Sequence, residues 1–174
     1  TIADIQAVPI DRLMGAYFAT LAKLRGTNVG RAFDPTVDGK AITQHPFSPR
    51  ASMVSPNVPV IFSSTSGEAT FRAEERLYTL DEAAMRHEIE QSLHGKADAT
   101  IALYRKLYPG STPSDVYFRI QSDFRFGAQA MKAAERRAAL KRAPVYLYYW
   151  TWESPADGGK YRAQHTIDIA FAYD

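Results

Sequence analysis

The 174-residue sequence contains no cysteine, which excludes a disulfide framework and thiol chemistry from this chain. Long apolar runs are also missing. A helix crossing a bilayer needs about 20 consecutive apolar residues, so no membrane span is expected. No Gly-x-Ser-x-Gly stretch occurs, so the strand-to-helix turn that presents a nucleophilic serine has no counterpart here. His87-Glu88 begins a His-Glu-x-x-His pattern, but Gln91 stands where the second histidine is required, and the zinc motif fails. His87 and His94 lie two helical turns apart without a third ligand, and His45 precedes Pro46; all three read as surface or loop residues. Neither a metal nor an organic cofactor is expected. A strong charge imbalance is lacking as well. The chain has 21 basic and 19 acidic residues, a formal net charge of +2, so nucleic acid is not an expected partner.

What is present fits one globular domain, with 45% hydrophobic residues. Leu13, Tyr17, Leu21 and Leu24 recur at helical spacing after Pro9 and predict an amphipathic helix within the first two dozen residues. Residues 26–57 are rich in Pro, Gly and Ser and read as a surface excursion, with Asp38-Gly39 closing a short hairpin. Val58-Pro59-Val60-Ile61-Phe62 reads as a strand, followed by the small-residue loop Ser63-Ser64-Thr65-Ser66-Gly67 and then Glu68.

The chain then turns helical. Thr79 with Glu82 forms a capping-box pattern, and Met85, Ile89 and Leu93 keep one face apolar until Gly95. A second helix spans about 97–107 and stops at Tyr108-Pro109-Gly110; Thr112-Pro113-Ser114-Asp115 opens a third. Ser122 or Asp123 caps a fourth, which runs through Ala128, Met131, Ala134 and Ala138. Lys132, Arg136, Arg137, Lys141 and Arg142 make the densest basic cluster, read as a solvated helix face. Val145-Tyr146-Leu147-Tyr148-Tyr149-Trp150 reads as a second strand. Trp150 and Trp152 at its end read as packing aromatics. After the Gly158-Gly159 loop come Ala163-Gln164-His165. Strand, helices, strand is the logic of an α/β crossover, and near-continuous apolar strands are those of a parallel sheet covered on both faces.

An acid after one such strand and a histidine after the next is the order of the last two triad members of an α/β-hydrolase. Several landmarks in order carry the resemblance further. Phe33-Asp34-Pro35-Thr36-Val37-Asp38-Gly39 with Pro46-Phe47 resembles F-x-P-V-V-D-G followed by proline. Val58 to Gly67-Glu68 and Phe71 resembles the strand and D-E-G-x-x-F loop. Ser122-Asp123-Phe124-Arg125-Phe126 is similar to T-D-x-x-F-R, and Pro144-Val145-Tyr146-Leu147-Tyr148 to P-V-Y-x-Y. Ala163-Gln164-His165 with Asp168-Ile169-Ala170-Phe171 is similar to G-A-x-H-G-x-D-I-P-F. Together these resemble the type B carboxylesterases, the family that includes the cholinesterases. Gly67 and Ala69 depart from the Asp and Gly flanking the acid, and Arg162 and Thr166 replace two glycines around the histidine, which bears on local backbone geometry.

The resemblance implies an α/β class, the C-terminal part of an α/β-hydrolase domain over residues 1–174, with central strands near 58–62 and 145–150 and a helical insert between them. It implies a carboxylic-ester hydrolase acting on small-molecule esters, with Glu68 as the orienting acid and His165 as the base. Phe71 matches a gorge-lining aromatic that contacts substrate; a core aromatic at the start of a helix is the alternative. The serine and the oxyanion donors would come from a missing N-terminal part, so this chain alone is expected to be inactive and prone to self-association. Its ends, Thr1 and Asp174, both read as cut. The lack of cysteine leans weakly towards a cytoplasmic location. A non-catalytic, adhesive relative is the alternative function, and retention of both Glu68 and His165 argues against it. An independent helical binding domain is the third and weakest reading.

Overall fold

A computed structural model describes residues 1–24 and 35–173. Phe33 and Asp34, which open the first family-like stretch, lie outside the described residues. The chain divides into two compact units, Thr1–His45 and Pro46–Asp174.

The first unit holds α1 (Ile2–Gln6) and α2 (Ile10–Leu24). Leu13, Tyr17, Leu21 and Leu24 are the half-buried positions of α2, as their spacing predicts, while Ile10 and Phe18 stay exposed. The Asp38-Gly39 turn forms, but without the expected hairpin, since no strand flanks it among the described residues. The Asp38 carboxylate takes over the role of a partner strand. Its Oδ1 accepts the N–H groups of Lys40 and Ile42, both at 2.9 Å, and Gly39 sits at φ +74.

The second unit is built on two parallel strands, β1 (Val60–Thr65) and β2 (Val145–Trp150), in register from Val60 against Val145 to Thr65 against Trp150. β1 starts and ends later than the 58–62 expected from sequence. Pro59 has no N–H to donate, and Ser63 to Thr65 go on pairing with Tyr148 to Trp150 where a loop was expected. The crossover between the strands contains α3 (Glu82–Leu93), α4 (Ala97–Leu107), α5 (Pro113–Ser122) and α6 (Ala128–Ala138). The α4 bounds and the start of α5 at Thr112–Asp115 are as the sequence predicts, and Thr112 and Asp115 there form a capping box.

Two caps differ. Asp81, not Thr79, caps α3, accepting the Ala84 N–H at 2.8 Å, because Thr79 belongs to a 3-10 turn over Glu75–Thr79. Neither Ser122 nor Asp123 caps α6. The helix continues from α5 through a π turn, Asp123–Gly127, and Ser122 Oγ donates back to the Phe118 carbonyl at 2.6 Å.

The core lies among the helices. Leu77, Leu80, Met85, Ile89, Val116, Phe118 and Ile120 form it, with α5 at the centre. The apolar strands are not covered on both faces: α6 packs against both strands, but Ile61 is 65% exposed and Tyr146, Leu147 and Tyr149 are also exposed. The basic cluster is not uniformly solvated either. Arg137 is buried, donating to the Val58 carbonyl at 2.9 Å and to that of Ser55, and Arg136 donates to the carbonyl of Phe47. The two guanidiniums satisfy carbonyls of an irregular segment. Lys132, Lys141 and Arg142 remain exposed.

Truncation should separate the two regions. Ile89→Ala, at a position with 0% exposure, should lower unfolding free energy by about 2–5 kcal/mol in urea titration. Ile61→Ala should change it by less than about 0.5 kcal/mol. The reverse ranking would put the core in the sheet.

Candidate active site

The site is set by how the chain leaves β1. Ser66 continues the pairing by donating to the Trp150 carbonyl at 2.9 Å, and Gly67 then donates to the Ala163 carbonyl at 3.0 Å, forming an isolated parallel bridge with Gln164. A Cβ at Gly67 would stand 2.8 Å from the Ala163 oxygen, closer than real Cβ contacts, so only glycine permits this approach. Glu68 follows Gly67 and His165 follows Gln164. The bridge thus brings an acid and a histidine, separate in sequence, to one end of the sheet.

There the His165 Nδ1–H donates to Glu68 Oε2 at 2.5 Å. A carboxylate only accepts, so the hydrogen bond requires a ring proton on Nδ1. The second Glu68 oxygen, Oε1, accepts the Thr65 N–H at 2.8 Å. The Glu68 side chain is 6% exposed against 45% for His165, so the acid lies beneath the imidazole and Nε2 is the nitrogen open to a further partner. A fixed, buried carboxylate on Nδ1 orients the ring and stabilises the imidazolium when Nε2 takes up a proton.

Surrounding groups hold this arrangement. Thr70 is fully buried, and its hydroxyl lies 2.7 Å from the carbonyls of both Gly67 and Tyr161, tying the acid loop to the histidine loop. Ser122 Oγ accepts the Ala69 N–H at 3.0 Å, linking the acid loop to α5. Arg162 and Thr166, where the sequence departs from glycine, both adopt positive φ, +52° and +71°. The left-handed backbone is kept despite the side chains, at about 1–2 kcal/mol for each. Arg162 has an evident compensation: its guanidinium pairs with the Asp115 carboxylate and lies 3.7 Å from Glu153.

Phe71 is partly exposed, with its ring centroid 5.9 Å from that of His165. The structure therefore places it beside the imidazole and outside the main core. Phe126, to which the sequence reading gave no role, stands 5.8 Å from the same imidazole. Only the π turn carries it there, and nothing in the local residue pattern signals that turn. Asp123 accepts the Tyr104 hydroxyl at 2.6 Å instead of capping a helix. Trp150 and Trp152 pack on Phe171, with centroids 4.9 and 5.2 Å away. His45, His87 and His94 are exposed, and no cluster of metal-ligating side chains occurs among the described residues.

No protein-family model matches the sequence. Among solved structures, the chain is similar to an esterase from anaerobic Clostridium hathewayi, described as able to hydrolyze aliphatic aromatic polyesters. The identity is 19% and the TM-score 0.57, over 97% of this chain and 33% of that one. At this identity the likeness shows a shared fold alone, a partial α/β fold. The chain spans about a third of that neighbour's length.

Gly67→Ala should force the 2.8 Å contact apart, shifting or broadening the NMR signal of the His165 Nδ1 proton. It should also cost about 1–3 kcal/mol of stability. Gly15→Ala, with nothing within 4 Å of the added methyl, should instead stabilise α2 by up to about 1 kcal/mol. An unchanged imidazole proton in Gly67→Ala would show that the bridge does not position the pair.

Proposed function

We propose that this chain supplies the acid and the base of the catalytic triad of a serine carboxylic-ester hydrolase of type B carboxylesterase kind. Residues 1–174 would then be the C-terminal portion of one α/β-hydrolase domain. The observation that supports this most directly is the 2.5 Å contact between His165 Nδ1 and a buried Glu68 whose other oxygen is already held by backbone.

In this reading His165 Nε2 removes the proton of a serine hydroxyl as the oxygen attacks the ester carbonyl. It returns that proton to the departing alcohol, leaving an acyl-enzyme. A water molecule, deprotonated by the same nitrogen, then releases the acid and regenerates the serine. Glu68 stays ionised throughout and compensates the imidazolium. The mechanism calls for neither a metal nor an organic cofactor. In this reading Phe71, beside the imidazole, contacts the substrate. The serine and the backbone donors that stabilise the oxyanion belong to chain outside this sequence.

The exposed apolar positions of both strands, Ile61, Tyr146 and Leu147 among them, are where the rest of the domain would pack. Without it, such surfaces and open strand edges associate with one another.

The full-length gene product should therefore hydrolyse a p-nitrophenyl ester, while the 174-residue chain alone should not. In the full-length protein Glu68→Gln should lower kcat by about 10⁴-fold and His165→Ala by at least as much. Undiminished turnover in His165→Ala would mean that another residue is the base. Serine-dependent turnover by the isolated chain would mean that the nucleophile lies within it. A full-length product in which the nucleophilic serine is replaced would point to a binding protein instead. Light scattering should show the isolated chain self-associating; a monomer at high concentration, with no binding of an apolar dye, would contradict the uncovered sheet.

A further inference from the structure

The stretch leading into the histidine is fastened at three successive residues. Lys160 Nζ donates to both oxygens of Glu75 at 2.8 Å and stands 4.6 Å over the Tyr78 ring. The Tyr161 carbonyl lies 2.7 Å from the Thr70 hydroxyl, and the Tyr161 ring meets Tyr78 edge-on at 6.0 Å. The Arg162 guanidinium pairs with Asp115 and lies 3.7 Å from Glu153, which also has Arg119 at 3.5 Å. Tyr78 in turn packs on the core residue Phe118, with centroids 4.9 Å apart. All of these partners lie within the described residues.

Arg162 differs from the two residues before it in its backbone. Its φ of +52° lies in the left-handed region, which residues with a side chain avoid. The Ala163 carbonyl that follows is the acceptor of the Gly67 N–H, and Ala163 is 0% exposed. A change of φ at Arg162 therefore moves that acceptor, and with it Gln164 and His165. Glycine at this position would tolerate +52°, but it would take up a negative φ about as readily. Arginine prefers to leave the left-handed region, and its guanidinium opposes the move. Relaxing the backbone would draw the charge away from Asp115 and Glu153. Asp115 is itself fixed, since its side chain is 14% exposed and Oδ2 accepts the Thr112 N–H at 3.1 Å.

We propose that Arg162 is a positioning residue for His165. Its guanidinium, held by Asp115 and Glu153, keeps the backbone conformation that seats Ala163 on Gly67 and the imidazole on Glu68. Strain and ion pair bear on the same residue: the pair enforces a conformation that glycine would only permit. The part that Arg162 plays in turnover rests on the esterase reading, whereas its hold on the imidazole does not.

The test compares Arg162→Gly, Asp115→Asn and the double variant in the full-length gene product. Arg86→Gln, which breaks the 2.7 Å pair with Asp98 away from the site, is the control. Melting temperature, the NMR signal of the His165 Nδ1 proton and the kinetics of p-nitrophenyl ester hydrolysis are measured for each. Arg162→Gly removes the anchor and the strain together, so its melting temperature should move by no more than about 4 °C. It should nevertheless shift or broaden the Nδ1 signal and lower kcat about 10- to 100-fold, with KM within about two-fold. Asp115→Asn, which keeps an acceptor for Thr112, should do likewise, and the double variant should be no worse than the poorer single one. Arg86→Gln should match the unsubstituted protein in signal and kcat. An unchanged Nδ1 signal or kcat in Arg162→Gly, additive losses in the double variant, or equal losses in Arg86→Gln would each overturn the proposal. If Arg162→Gly fails to fold, the signal and kcat of Asp115→Asn decide. Absence of turnover in the unsubstituted protein would overturn the esterase reading, and the Nδ1 signal would then decide the role of Arg162 by itself.

Discussion

Gly67 lies so near the Ala163 backbone that no side chain fits between them, and the arrangement around the pair depends on that contact. Parallel pairing of β1 and β2 brings the two strand ends together. The histidine loop returns only after a detour from Thr151 to Arg162, and its last step is the bridge between Gly67 and Gln164. Backbone hydrogen bonds fix position more tightly than two long side chains could. Glu68 and His165 are carried to one another by that bridge, and the Thr70 hydroxyl and the Ser122 side chain reinforce it.

Stability and site geometry draw on different parts of the molecule. Apolar burial is concentrated on α5 and the helices around it, where Ile89 and Val116 are fully enclosed. The site instead stands at the edge of this mass, between a sheet with exposed apolar side chains and a loop with non-glycine residues at positive φ. Strained backbone persists where the surroundings over-determine it. Here Arg162 is anchored to Asp115, which also completes the capping box of α5, so the histidine loop and the central core helix share a carboxylate.

The sequence made the helices legible because their signals are local. The Thr112–Asp115 capping box, the Tyr108-Pro109-Gly110 stop and the spacing from Leu13 to Leu24 each lie within a few turns of chain. Glu68 and His165 could be singled out because each follows a strand-like run. What could not be read depends on tertiary contacts. Arg136 and Arg137 look like part of a charged face until the carbonyls of Phe47, Ser55 and Val58 are brought under α6. The apolar strands imply two covered faces, but covering material has to be present for that to hold. Ser122 and Asp123 have the composition of a cap, and only the packing of α5 reveals that the helix runs on past them.

The π turn at Asp123–Gly127 acts as a phase shifter for α6. One additional residue in a turn advances a helix by about 100° about its axis, given 3.6 residues per turn. Without that advance, a helix continuing from α5 would present a different side to the strands. With it, Ala134 and Arg137 become the buried side of α6. Within the turn itself, the same rotation divides neighbouring side chains between two destinations, Phe126 towards the imidazole and Asp123 towards Tyr104. A shift in angle at one point along a rod therefore sets both what the later helix covers and which neighbour each side chain meets.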